Sequence, residues 1–267
     1  MKSIQELMSL KGRRALITGA NGYIGQQIAI TIAELGGDLV LVDKPGSEYD
    51  ILLDRLHSVF DIEVKCIDAD LEDKHSREEL VSEVINQKKP LNILINNAAF
   101  VGASDLEGWV TGLSGQTVDT WRRAIEVNLT AVFDISKCLV SKLKQSGHGT
   151  IINLGSIYGE LGPDMSLYEG TIMGNPAAYS ASKGGLIQLT RWLSTNLAPD
   201  IRVNIVSPGG ILRDQPKKFI SRYESRVPMA RMATEQDLKG IFAYLSSDLS
   251  EYVTGQNIIV DGGWSIW

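Results

Sequence analysis

The sequence predicts an α/β protein: a doubly wound parallel sheet of about seven strands with helices on both faces. Three observations carry that prediction. Short aliphatic runs alternate with helix-length amphipathic segments along the whole chain. The runs are nearly continuously apolar, the pattern of strands covered on both faces. The 267 residues are 43% hydrophobic and 22% charged, which is enough apolar material for one sizeable core, and residues 1–267 read as one domain.

In order, residues 15–18 (Ala-Leu-Ile-Thr) form the first strand, and 24–35 the helix that returns from it. Residues 38–42 (Asp-Leu-Val-Leu-Val) form the second strand, closed by Asp43 before a turn at Pro45, with a helix over 47–60. The strand 63–68 pairs with the helix 76–87, and the strand 91–96 with the long helix 120–143. The strand 150–154 leads to the helix 178–197, and the strand 202–207 to the helix 234–245; residues 257–260 complete the sheet. Strand and helix in alternation imply right-handed crossovers. Three connections are longer than such units need, at 100–119, 157–177 and 212–232. Each follows the carboxyl end of a strand, where open α/β sheets bind their ligands.

Composition excludes several classes. No run of about 18 apolar residues exists, so no membrane-spanning helix is expected. The opening MKSIQELMSLKGRR carries charges and no apolar segment, so no secretory signal is expected. Cys66 and Cys138 have no motif spacing, which fits a reducing, cytoplasmic compartment. A net charge of −6 speaks against a nucleic-acid partner. His57, His75 and His148 are scattered without zinc spacing, so no metal is expected.

The first strand runs into Thr18-Gly19-Ala20-Asn21-Gly22-Tyr23-Ile24-Gly25. Glycines there let the backbone turn tightly and approach a pyrophosphate, which the following helix N-terminus attracts with free N–H groups and its dipole. Asp43 at the end of the second strand can accept both hydroxyls of an adenosine ribose and would repel a 2′-phosphate. NAD is therefore the expected cofactor. Lys44 follows directly and offsets part of that repulsion, which keeps NADP open. Alone, the glycine loop is an ordinary strand-to-helix turn and Asp43 a turn residue.

With further motifs in order, the chain resembles the short-chain dehydrogenase/reductases, in the single-domain, Rossmann-type branch that includes the 3-oxoacyl reductases. The resemblance runs from about Leu10 to Trp267. It rests on the glycine loop, Asp70-Leu71, Asn96-Asn97-Ala98-Ala99, Asn128, Ser156, Tyr179-Ser-Ala-Ser-Lys183, Pro208-Gly209-Gly210 and Tyr252-Val-Thr-Gly-Gln with Val260-Asp-Gly-Gly263. It implies that Asp70 and Leu71 meet the adenine and that Asn96, Asn97, Ala98 and Ala99 line the adenosine side. Pro208, Gly209 and Ile211 would complete the dinucleotide site.

Tyr179 and Lys183 stand four apart in a predicted helix and so share a face. A phenol, with an ordinary pKa of about 10, is a poor base at neutral pH, and a neighbouring ammonium lowers that value. The resemblance makes Tyr179 the acid/base in hydride transfer between a nicotinamide and a carbon–oxygen centre. It makes Lys183 a ligand of the nicotinamide ribose and Ser156 the group that binds the substrate oxygen. Asn128 would hold a water connecting the lysine to solvent. Taken singly, each has a plainer explanation: a solvated helix face, a buried polar group or a turn.

Three departures stand out. Tyr23 replaces the middle glycine of the single-domain loop, so that Gly19, Gly22 and Gly25 take the spacing of the two-domain branch that acts on nucleotide sugars. Ser156 and Tyr179 are separated by an insertion, 157–177, that holds Glu160, Asp164 and Glu169 and no Lys or Arg, with Tyr158, Met165, Tyr168 and Met173 interleaved. It is read as a wall over the substrate site, through Tyr158 and Glu160, or as an oligomer contact. Finally, Arg213 stands near the position of a family threonine that contacts the nicotinamide carboxamide. The segment 212–232, read as a substrate lid, holds Arg213, Lys217, Lys218, Arg222, Arg226 and Arg231 against Asp214 and Glu224. Any single one of these cations is read first as solvated or paired with the acidic insertion, but an arginine such as Arg213 can bind a phosphate or carboxylate bidentately, and the excess as a group points to an anionic substrate.

The expected function is thus NAD(P)-dependent interconversion of a secondary alcohol and a ketone on a polar, anionic, carbohydrate-type small molecule. A 3-oxoacyl thioester reductase is the alternative, and a non-catalytic dinucleotide sensor a remote one. A homodimer or homotetramer is implied by the resemblance, with apolar Trp264, Ile266 and Trp267 at the end of the chain adding to it. No membrane partner is expected.

Overall fold

A parallel strand covered on both faces needs an apolar side chain at nearly every position, and β1 (Arg14–Thr18) has all five residues buried. The structure is a computed structural model that describes residues 1–101 and 106–267. In it β1 pairs in parallel with β2 (Asp38–Asp43) on one side and, beyond β3 (Val64–Asp68) in the chain, with β4 (Ile93–Asn96) on the other; Leu16 lies opposite both Val40 and Leu94. With β5 (Gly149–Leu154), β6 (Ile201–Pro208) and β7 (Asn257–Val260) the sheet has seven strands in the order β3-β2-β1-β4-β5-β6-β7, every pair parallel. The winding reverses between β1 and β4, which opens a crevice at their carboxyl ends.

The helices are α1 (Ile4–Met8), α2 (Tyr23–Glu34), α3 (Asp50–His57), α4 (Lys74–Asn86), α5 (Val118–Ile125), α6 (Ala131–Gln145), α7 (Ala177–Leu197), α8 (Lys217–Glu224) and α9 (Lys239–Ser246). Alternate residues of each strand feed opposite faces. Ile17, Leu41, Ile93 and Ile152 pack under Ile28 and Ile32 of α2, Leu52 and Leu56 of α3 and Phe242 of α9. Leu16, Val40, Leu94 and Ile151 pack under Leu80 and Val84 of α4, Ile135 and Leu139 of α6 and Leu193 of α7.

Four elements differ from the sequence prediction. The helix expected over 47–60 is shortened to α3, because Gly46 at φ 84° and a turn from Ser47 N–H to the Lys44 carbonyl hold the chain out of the helix. The helix expected over 120–143 is interrupted by a π-helical turn, Glu126–Thr130, between α5 and α6. The helix expected over 234–245 begins as a 3-10 turn, Glu235–Leu238, held by a Thr234–Asp237 capping box. The segment 212–232, read as loop, contains α8. Of the long connection 100–119, residues 102–105 lie outside the described residues. Among the described residues no helix is long and apolar enough to cross a membrane.

Candidate active site

The turn after β1 leaves no room for side chains. Gly19 has φ 63°, and a Cβ there would sit 2.8 Å from the Ala98 Cα. A Cβ on Gly25 would sit 2.1 Å from the Gly19 carbonyl oxygen. The turn is held from β4: Asn97 Nδ2 donates to the Thr18 and Gly19 carbonyls at 3.0 and 2.8 Å, and the Asn97 and Ala98 amides donate to Thr18 Oγ1 at 3.1 and 3.2 Å. It is held from β2 by Asp43, whose Oδ2 accepts from the Asn21 amide at 2.8 Å and whose Oδ1 accepts from the Lys44 amide at 2.8 Å and from Ser47 Oγ at 3.3 Å. Gly22 caps α2 without any side-chain hydrogen bond, so the first-turn amides of α2 keep their capacity for an anion. A glycine cradle beneath an uncapped helix N-terminus, with a carboxylate at the rim, fits a dinucleotide.

The neighbouring predicted positions divide. Ala98 and Ala99 are half-buried beside the turn, and Lys44 is exposed. Asp70 is exposed and its Oδ1 accepts from the Glu72 amide; Leu71 is buried, with its carbonyl on the Arg77 guanidinium at 2.6 Å. Asn96 does not face the crevice. Its Nδ2 donates to Asn153 Oδ1 at 2.9 Å and Ser136 Oγ at 3.3 Å beneath α6, because a strand alternates its side chains and Asn97, not Asn96, is turned to the glycine loop.

At the end of β5, Ser156 is 5% exposed and accepts from the Tyr158 amide at 3.2 Å. Tyr179 and Lys183 lie one turn apart in α7, as their spacing predicts. Burial pushes the Tyr179 phenol above its ordinary value, and the hydrogen bond with the Ser156 hydroxyl pulls it back. The sequence assigned that lowering to Lys183. Instead the Lys183 Nζ, 5.7 Å from the Tyr179 ring centroid, donates to the Leu154 carbonyl at 2.7 Å. The ammonium is itself buried, and burial holds it down at about 8. Asn128 lies in the π-helical turn. Its Oδ1 accepts from the Phe100 amide at 2.7 Å, and its Nδ2 donates to the Phe100 carbonyl and to Ser182 Oγ, both at 3.1 Å.

The insertion and the lid pack on each other. Tyr168 Oη donates to Tyr158 Oη at 3.1 Å, and burial raises the Tyr158 phenol well above its ordinary value. Tyr168, Phe219, Tyr223 and Trp264 form an aromatic ladder, with Tyr223 and Trp264 stacked at 4.5 Å. Arg222 donates to the Leu167 and Glu169 carbonyls at 3.2 and 2.7 Å, Arg226 pairs with Asp164, and Arg231 makes a two-armed pair with Asp237 at 2.8 Å. The lid's cationic excess is therefore largely compensated within the protein. Glu160 accepts from Asn257 Nδ2 at 2.9 Å, which ties the insertion to β7. Pro208 ends β6, the Gly209 amide donates to the Val260 carbonyl at 2.9 Å, and Ile211 bridges to Ala233. Arg213 donates through Nε to Glu235 at 3.0 Å and lies over the Tyr23 ring at 4.4 Å.

Two structural residues escaped the sequence reading. Tyr223 accepts from the Gly210 amide at 2.6 Å and sits where a Cβ on Gly209 would be 2.8 Å away; its only signal was an apolar i, i+4 pair with Phe219 inside a basic segment. Glu235, partner of Arg213, carried no signal at all.

A family described as enoyl-(acyl carrier protein) reductase matches residues 19–265. A 3-oxoacyl-(acyl-carrier-protein) reductase of Buchnera aphidicola is 32% identical, over 96% of this chain and 98% of its own. An NADP-dependent mannitol dehydrogenase of Hypocrea jecorina is 30% identical, over 97% and 95%. The structure of a short chain dehydrogenase from Leptospira borgpetersenii with bound NAD+ superposes with a TM-score of 0.84 at 32% identity, covering 100% of this chain and 97% of that one. That of a gluconate 5-dehydrogenase from Burkholderia cenocepacia, in complex with NADP and tartrate, superposes with a TM-score of 0.84 at 26% identity, covering 98% and 99%.

Proposed function

The chain belongs to the short-chain dehydrogenase/reductase family, and from that premise we propose how its site works and what it takes. It is an NAD(P)-dependent oxidoreductase of CH–OH or ketone groups. The observation that carries the proposed mechanism is the Ser156–Tyr179 hydroxyl pair beside a buried Lys183. When bound, the dinucleotide supplies the hydride acceptor or donor. Gly19, Asn21, Gly22, Tyr23, Ile24 and Gly25 would hold its pyrophosphate, Asp43 its adenosine ribose, and Pro208, Gly209 and Ile211 its nicotinamide end. In the oxidative direction the carbinol hydrogen leaves as hydride and Tyr179 takes the hydroxyl proton, while Ser156 holds the same oxygen. Reduction reverses both transfers. Lys183 would hold the nicotinamide ribose, and Asn128, bonded to the Phe100 backbone and to Ser182, positions the helices around it.

We propose a substrate of the polar, carbohydrate-type class. The support is the hydrogen-bonded pair of phenol hydroxyls, Tyr158 and Tyr168, close enough to Tyr179 to act on its phenol, in a segment without Lys or Arg, and the likeness to mannitol and gluconate dehydrogenases. An anionic group on it would rest on Lys217 and Lys218, which have no carboxylate partner among the described residues, while Arg226 and Arg231 are ion-paired and Arg222 is held by backbone carbonyls. NAD is favoured by Asp43. A second reading, a 3-oxoacyl thioester reductase, is favoured by the similarity to the Buchnera enzyme. Absorbance of reduced nicotinamide, followed with both cofactors against polyols, sugar acids, sugar phosphates and 3-oxoacyl thioesters, separates the two. Turnover of a polyol or sugar acid with NAD is the expected result; turnover of thioesters alone, with NADPH, overturns the first reading in favour of the second.

A further inference from the structure

Two of the three departures from the single-domain pattern, Tyr23 and Arg213, are distant in sequence and touch in space. The Arg213 guanidinium carbon lies 4.4 Å from the centroid of the Tyr23 ring. Tyr23 is the first residue of α2, and Arg213 follows β6 at the start of the lid. The stack therefore spans the crevice mouth from the phosphate loop to the lid. Glu235 fixes the guanidinium by one edge, through Nε at 3.0 Å, and its two terminal nitrogens have no hydrogen-bond partner among the described residues.

The guanidinium lies over the side chain of the first residue of α2, and a cation near a helix N-terminus is disfavoured by the helix dipole unless an anion lies between them. No acidic residue stands in the first turn of α2, and no side chain caps it. The Glu235 carboxylate, held by one edge at 3.0 Å, and the aromatic face compensate only in part, each a modest attraction at a partly exposed site. We propose that Tyr23 and Arg213 form a clamp on the dinucleotide, in which the tyrosine ring presents the guanidinium to the pyrophosphate above the α2 amides. This rests on the dinucleotide-binding reading above and reassigns Arg213 from the substrate to the cofactor. Arg213 is thus a cofactor ligand and Tyr23 its positioning residue.

The test measures dissociation constants for NADH by fluorescence and for ADP-ribose by calorimetry, both on the full chain. Arg213→Ala is expected to weaken each ligand about tenfold, the scale of one lost charged hydrogen bond, through faster release. Tyr23→Ala should reproduce most of that loss, Tyr23→Phe should bind like wild type, and the double variant should be no weaker than Arg213→Ala. An unchanged dissociation constant in Arg213→Ala with a raised KM for the carbonyl substrate returns Arg213 to the substrate and overturns the clamp. A loss seen with NADH but not with ADP-ribose overturns it as well, since the contact then lies at the nicotinamide. Wild-type protein that binds no dinucleotide overturns the underlying reading rather than the pairing alone.

Discussion

At Tyr179 two forces on one phenol oppose each other. Burial raises its pKa, and the Ser156 hydrogen bond lowers it. Removing only the phenol oxygen leaves the packing intact, so Tyr179→Phe should reduce kcat/KM by about 10²–10⁴ with NADH affinity unchanged; equal turnover in the two proteins removes Tyr179 from the chemistry. Lys183 allows a stability prediction with a definite sign. Its folded pKa is about 8 against 10.5 for the ordinary lysine. Between those values the unfolded chain binds more protons than the folded one, so wild-type stability rises with pH across that window. Below about pH 8 the buried ammonium is a constant cost. Lys183→Met should therefore be inactive yet more stable at pH 7, by up to roughly 3 kcal/mol, with the gain shrinking toward pH 10. Urea midpoints at the two pH values check it; a gain independent of pH means that charge burial is not its cause.

The insertion is an element that the lid keeps in place. Arg222 in α8 holds two of its carbonyls, at 3.2 and 2.7 Å, and Arg226 pairs with Asp164. The apolar contact beneath, Leu167 and Tyr168 against Phe219 and Tyr223, is small beside the main cores. Arg222→Ala should cost about 1–3 kcal/mol of local stability. Limited proteolysis within 160–172 should then quicken while the global melting temperature scarcely moves; an unaltered cleavage rate shows that the aromatic ladder alone holds the segment. The π-helical turn between α5 and α6 is a further case in which an element's interior matters. It sets the Asn128 amide against both the N–H and the C=O of Phe100 and against Ser182 Oγ, three residues after Tyr179 in α7.

For the whole molecule, the last residues form an exposed apolar feature beside the lid. Trp264 stacks on Tyr223, but Ile266 and Trp267 remain 78% and 80% exposed. We expect a second copy to cover them in a homodimer or homotetramer. Deleting residues 266–267 leaves Trp264 in place and should lower the mass measured by light scattering; an unchanged mass locates the subunit contact elsewhere, for instance at the exposed Trp121, Phe133 and Trp192 of α5, α6 and α7.

Local periodicity by itself determined the seven strands and the alternation of helices, because a strand buried on both faces must be apolar at nearly every position and a crossover must follow it. The glycine spacing after the first strand and the four-residue step from Tyr179 to Lys183 were also legible locally, whereas the roles of Ser156, Tyr179 and Lys183 came from the family resemblance. Only the tertiary structure decided where charges found partners. In sequence each lid arginine could be solvated, pair with the acidic insertion or face the site; Asp164, Asp237 and two insertion carbonyls take three of them. It decided that Lys183 turns to the Leu154 carbonyl, that Asn97 rather than Asn96 holds the glycine loop, and that Tyr23 meets Arg213. Those outcomes depend on contacts between segments far apart in the chain, whose distances are fixed by how the sheet and its loops pack and not by any local pattern.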